Sequence, residues 1–149
     1  MKMFNTIQHM TSAKLALGVL VATFVFSAAA NAQPTFEGKF VLPHEVRWNH
    51  AVLPPGQYSI EIASTEAPVV LHSASTGKSY NTSTPMMADA EKGATRLNIT
   101  NFGNERRVRS LNLPQIGKAL VFDPLTRTEK ELLAKAGGND AVPVMAARK

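Results

Sequence analysis

The chain has 149 residues, no cysteine, and 16 basic against 11 acidic side chains, for a formal net charge of +5. The missing thiol excludes disulfides, thiolate metal sites, a cysteine nucleophile and acylation on cysteine. Lys2 and Lys14 account for part of the charge, so residues 33–149 carry 14 basic and 11 acidic groups, and that net +3 argues for solubility rather than for a nucleic-acid partner.

The chain opens with the pattern of a secretory leader. Lys2 and Lys14 precede the uncharged apolar run Leu15–Phe26, and Ala30 and Ala32 supply the small side chains that a signal peptidase accepts. This predicts a signal peptide over residues 1–32, cleavage after Ala32 and an exported protein, periplasmic or extracellular. The apolar run of 12 residues falls short of the ~20 needed to cross a bilayer, and no later segment approaches that length, so no stable span is expected after cleavage. Export without disulfides fits a bacterial envelope. Residues 33–149 are the length of one domain that can bury a core without staples.

Short alternating runs then follow, cut by proline, glycine and asparagine at close spacing. The pattern predicts an all-β domain, a sandwich or half-open barrel of about seven to nine strands with one short C-terminal helix. Phe36, Gly38, Phe40 and Leu42 share one parity, an inward-facing strand ended by Pro43. His44, Val46, Trp48 and His50 share the next face, opposite Glu45, Arg47 and Asn49. Pro54 and Pro55 withhold N–H donors, so no central strand runs through them, and Gly56 permits the turn back into the sheet. Tyr58, Ile60 and Ile62 then point inward, with Gln57, Ser59 and Glu61 outward.

Further strands are predicted over residues 69–72, 79–83, 86–88, 94–100, 106–113 and 118–122, with hairpin turns at Ser75–Gly77 and Asn101–Asn104. Thr126 with Glu129 and Thr128 with Glu131 form overlapping capping boxes that predict a helix near 126–136, stopped by Gly137 and Gly138. Leu125, Leu132, Leu133 and Ala136 form a narrow apolar stripe expected to dock on the sheet. The tail from Ala141 to Met145 is expected to close as an edge strand, since Pro143 is tolerated only at an edge.

Phe40–Trp48, Ala51–Ile60, Arg107–Leu113 and Val142–Val144 together resemble a family of small exported bacterial β-rich proteins of unknown function. Those proteins share an F-x-L-P-x-x-V-x-W opening followed by L-P-(A/P)-G-x-Y. The resemblance implies a shared fold and brings no reaction. Leu53–Tyr58 also resembles the turn and strand of transthyretin-like and carboxypeptidase-regulatory-like β-sandwich modules, which implies a sandwich and no catalytic residue.

Candidate chemistry is sparse. His44, His50 and His72 are the imidazoles of the predicted domain, and Met86, Met87 and Met145 would suit Cu(I). His44 and His50 stand ~20 Å apart on a straight strand, however, so isolated histidines and core methionines are expected, with no metal or other cofactor. Ser59, Ser73, Ser75, Ser79 and Ser110 fall in ordinary strand or turn contexts without a nucleophile elbow. Glu45, Glu61 and Glu66 show no pairing for acid–base work. Arg106, Arg107 and Arg109, with Arg96 and Lys118, form a basic strand region, expected to be a solvated face because Arg107 and Arg109 point opposite to Arg106. Trp48, His50, Arg107 and Arg109 are the candidate ligand surface, and Pro54, Pro55, Gly56 and Tyr58 the structural turn.

The expected function is non-catalytic: an exported module that interacts with a protein partner or serves the structure of the envelope. Two alternatives stand beside it. A carbohydrate-binding module needs Trp48 on an exposed platform for sugar stacking. A metal protein or small hydrolase needs a cleft gathering His44, His50 or His72 with acids.

Overall fold

The computed structural model describes residues 35–136 and 138–147, so the predicted leader lies outside the described residues. Two sheets pack across one core. The first has the order β12 (Met145–Ala146), β1 (Phe36–Leu42), β4 (Gly56–Ile62), β5 (Val70–Ser73), β6 (Ser79–Asn81). The second runs β11 (Asn139–Pro143), β8 (Arg96–Phe102), β9 (Glu105–Leu113), β10 (Lys118–Val121), β7 (Met86–Asp89), with the hairpin β2 (Val46–Trp48) and β3 (Ala51–Leu53) added to β9. The all-β, sandwich-like class predicted from the sequence is formed. The described residues hold twelve strands, more than the sequence suggests, because several are only two to four residues long.

Alternation builds the core. Phe36, Phe40 and Leu42 of β1 and Tyr58, Ile60 and Ile62 of β4 are buried while their sequence neighbours are not. Phe40 and Tyr58 are register partners, and their rings stack at 5.6 Å. A slip of one residue would expose all six side chains, each worth ~1.5–3 kcal/mol when buried, so this pairing admits one register. Leu97, Leu111 and Leu120 meet them from the second sheet.

The hairpin β2–β3 is an excursion. The chain leaves β1 in the first sheet, makes β2 and β3 in the second, and returns to β4 beside β1. Pro54 and Pro55 occupy that return, where no ladder needs their missing N–H groups. Gly56 takes φ 152°, and the Tyr58 hydroxyl donates to the Pro54 carbonyl at 2.8 Å to hold the corner. The sequence places His44, Val46, Trp48 and His50 on one face. Only Val46 and Trp48 are buried together, because the strand ends at Trp48 and Asn49 turns the chain with φ 54°. Asparagine tolerates that left-handed backbone better than most residues. His44 and His50 both lie outside the strand and exposed.

The chain crosses between sheets at both ends of the sandwich. Residues 82–85 join β6 to β7 at one end, and Val144 joins β11 to β12 at the other. The tail predicted as one edge strand is therefore an edge strand of each sheet, with Pro143 at the edge as its missing donor requires. The connection from β7 to β8 is fixed by Asn112, which points away from the core between Leu111 and Leu113. Asn112 is fully buried; its Oδ1 accepts from Glu91 N at 2.8 Å and its Nδ2 donates to Glu91 O at 2.9 Å. We expect Asn112→Ala to lower stability by about 1–2 kcal/mol, read as a shift in denaturant midpoint at unchanged m value. An unchanged midpoint would show that the connection holds itself.

The helix α1 (Arg127–Ala136) forms from the first of the two predicted capping boxes. Thr126 N and Oγ1 each donate to Glu129 Oε2 at 2.9 Å, and Glu129 N donates to Thr126 Oγ1 at 3.3 Å. Its apolar stripe docks only in part: Leu125 and Leu133 are half-buried, while Leu132 and Ala136 are exposed and no residue of α1 is fully buried. An ion pair between Glu129 and Arg107 adds a polar tie.

Candidate functional site

Strand β9 is longer than the strand beside it. β10 pairs only with Ser110–Leu113, leaving the edge of Glu105–Val108 open. β2 takes up that edge as a parallel neighbour, with Arg47 opposite Arg107. Between the end of β10 and the β2–β3 turn lies a cleft of about 400 Å³, lined by Arg47, Asn49, His50, Glu105, Arg107, Val108 and Asp123. Asn49 spans its rim: Nδ2 donates to Phe122 O at 3.3 Å, and Oδ1 accepts from Ser83 N at 3.3 Å.

Two of the four predicted surface residues meet here, His50 and Arg107. The other two do not. Trp48 is 0% exposed, edge-on to Phe122 at 5.0 Å and tilted against Phe40 at 6.3 Å. Its ring has no face at the surface, since a large aromatic at the meeting of β1, β2 and β10 is worth most inside. Arg109 sits where the β8–β9 register jumps, Asn98 facing Ser110 and Ile99 facing Val108. That bulge lifts Arg109 out of the ladder; its carbonyl accepts from Phe122 N at 2.9 Å and Asp123 N at 3.3 Å, and its side chain does not line the cleft. Alternation alone carries no sign of the bulge.

The cleft is charged but balanced. Arg107 Nη1 donates to Asp123 Oδ2 at 3.0 Å and Nη2 to Glu129 Oε1 at 2.8 Å, with the guanidinium 4.2 Å above the Phe102 ring. Burial alone would lower the Arg107 pKa, but the bond to Glu129 and the charges of Asp123, Glu129 and Glu105 raise it above its ordinary value. Arg47 Nε lies 3.1 Å from Glu105 Oε1. Each guanidinium already has its carboxylate, so the arrangement's chemistry is to fix the end of β10 and the helix against β9.

Glu129 is the group that acid reaches. The Thr126 backbone N–H, then Arg107, then the Thr126 hydroxyl hold its carboxyl down to about 2 from 4.5. Folded, it binds fewer protons than unfolded between those values, so its contribution is complete above pH 4.5 and is lost as pH falls toward 2. We expect Glu129→Gln to flatten the acid limb of the stability curve over that interval while leaving the neutral side parallel to it. An unaltered acid limb would refute the pairing.

The remaining candidates are dispersed. Ser79 Oγ lies 2.8 Å from His72 Nδ1 across β5–β6, an exposed pair in the row that also holds Ser59. His44 precedes β2, and among the described residues no three His, Asp or Glu side chains gather to hold a metal ion. Glu45, Glu61 and Glu66 are exposed. Compared with known proteins, the chain matches no family model, no curated protein and no solved structure.

The methionines reverse their expected place. Met86 and Met87 are 53% and 50% exposed, and Met145 is 68% exposed on β12, at the far end of the other sheet. All four residues of β7 are exposed. Met87 faces Leu120 in register and so lies on the core-facing side, yet stays half open, as β7 is the last strand of its sheet. A run of three apolar residues after Pro85 reads equally well as a covered strand, which is why periodicity places them inside.

Proposed function

We propose that this domain is an exported, non-catalytic β-sandwich module of the bacterial envelope that binds a protein partner by adding a strand to β7. The observation that carries the reading is that edge: a four-residue terminal strand, exposed throughout, with two methionines on it. A free edge offers backbone donors and acceptors to an extended segment, and sheets that do not use such an edge usually blunt it with lysine, proline or a bulge. β7 itself carries no lysine, proline or bulge; its blunting is confined to its ends, with Pro85 before Met86 and Asp89 beside Lys118. Methionine is a flexible apolar surface that accommodates a partner side chain without a rigid pocket. The occupant is thus an extended segment of another protein, with apolar residues on the side of Met87 and Leu120. The burial of Trp48 supports a protein partner over a glycan, because its ring offers no exposed platform for sugar stacking.

The test is a photo-crosslinking residue placed at Ala88, at Val52 and at His50, in full-length protein expressed in its host. One discrete adduct from position 88, lost when Met86→Asp and Met87→Asp are added, supports the reading. An adduct from His50 alone moves the binding surface to the cleft and overturns it.

A further inference from the structure

We infer that the C-terminal segment, residues 139–147, is an exchangeable strap, and that the strap of one copy docks in the same seat on a second copy of this chain. The seat runs along β8 and then β1. In it Asn139–Pro143 pair with Arg96–Thr100, and Met145 and Ala146 pair with Lys39 and Gly38. Val144 N donates to Thr95 O at 3.0 Å and Ala147 N to Glu37 O at 2.9 Å. Side chains add Asn101 Nδ2 to Asp140 Oδ2 at 2.9 Å and Thr100 Oγ1 to Asn139 Oδ1 at 3.3 Å. Each of these bonds joins the strap to the body, so a strap from a second copy reproduces them all.

The seat is also selective. Of the strap's side chains only Val142 and Val144 are buried, two valines one residue apart. A Cβ at Gly38 would lie 2.8 Å from Val144 Cγ1, so the bare glycine forms the notch that this methyl group enters. The fitting occupant is an extended strand with Val-x-Val spacing, and the same chain supplies one.

The connector leaves the strap free to move. β10 and β11 stand three strand positions apart in the second sheet, ~14 Å, and the chain bridges them through α1, in which no residue is fully buried. The side-chain ion pairs of Arg107 with Asp123 and Glu129 tie this bridge to the body. Elements with few buried contacts open at low free energy. A closed chain presents its own strap at an effective concentration of order mM, so exchange appears when the protein itself is brought to that range.

The absence of cysteine gives a clean test. Lys39 and Met145 are direct register partners across β1 and β12. Both are exposed, and the pair Lys39→Cys with Met145→Cys reports which chain supplies the strap. Oxidised after dilute storage, it should run as a bridged monomer on a non-reducing gel. Oxidised after incubation at ~1 mM, a covalent dimer should appear and grow with concentration. The pair Val41→Cys with Gln57→Cys, partners within the body across β1 and β4, should stay monomeric throughout. Only monomer from the first pair at every concentration overturns the inference, and so does equal dimer from both pairs. A second measurement avoids the cysteines: isotopically light and heavy chains mixed at the same concentration should give mixed-mass dimers by native mass spectrometry. Their absence overturns the inference equally.

Discussion

Trp48→Ala should lower the stability of the domain by about 3–5 kcal/mol, as expected for truncating a fully buried large aromatic. Folded domains hold only ~5–15 kcal/mol in total, so this variant is expected to be largely unfolded near body temperature. The magnitude follows from position. Trp48 is the only tryptophan, has no exposed surface, and joins Phe40 of the first sheet to Phe122 at the end of β10. Removing it empties the space under the β2–β3 hairpin, which is the wall of the cleft that carries Arg47, Asn49 and His50. Trp48→Phe keeps an aromatic ring against Phe122 and should cost less than half as much. Far-UV circular dichroism against denaturant reads both variants, since neither retains tryptophan fluorescence. A midpoint unchanged in Trp48→Ala would place the ring outside the core.

Gly38→Val should loosen the C-terminal strap before it loosens the sandwich. The Gly38 backbone is ordinary β1 strand paired with Ile60 and Ala146, so the obstacle is steric rather than conformational. The first added carbon alone lies 2.8 Å from Val144 Cγ1 and 2.9 Å from two atoms of the Phe36 ring. Overpacking of this kind costs about 1–3 kcal/mol, and the neighbour held by the fewest contacts yields. Amide exchange of residues 139–147, and of the β8 amides that face them, should therefore quicken by an order of magnitude or more while β9 and the β8 amides that face β9 keep their protection. Adding Val144→Ala removes the clashing methyl groups and should restore part of the loss, so that the two substitutions are non-additive. Strict additivity would contradict the notch.

Much of this architecture is legible in the sequence wherever alternation and turn chemistry agree. β1 and β4 show their buried parity, and Leu53–Tyr58 shows its corner, because prolines without donors and a glycine with φ 152° leave few other conformations. Thr126 and Glu129 show the helix start for the same local reason. What escapes is non-local or depends on what covers a face. The parallel contact of Arg47 with Arg107 joins residues 60 positions apart, and no motif announces it. Asn112 falls within the predicted strand 106–113, where no motif announces that the β7–β8 connection lies over it. The leucines of α1 read as a docking stripe, and Met86 and Met87 as core. Burial depends on the extent of the opposite sheet, which periodicity does not encode. His50 is brought to the cleft for a reason the parity reading missed, the turn at Asn49.

The most direct test of a binding edge is amide hydrogen exchange along β7, in the free protein and with the partner captured at position 88. In the free protein the outward amides of Met86–Asp89 should exchange as fast as loop amides, while those bonded to β10 are protected. With the partner bound, the outward amides should slow by at least an order of magnitude, and residues 47–50 and 105–107 of the cleft should stay unchanged. Protection of those outward amides already in the free protein, or new protection confined to the cleft, would contradict the account.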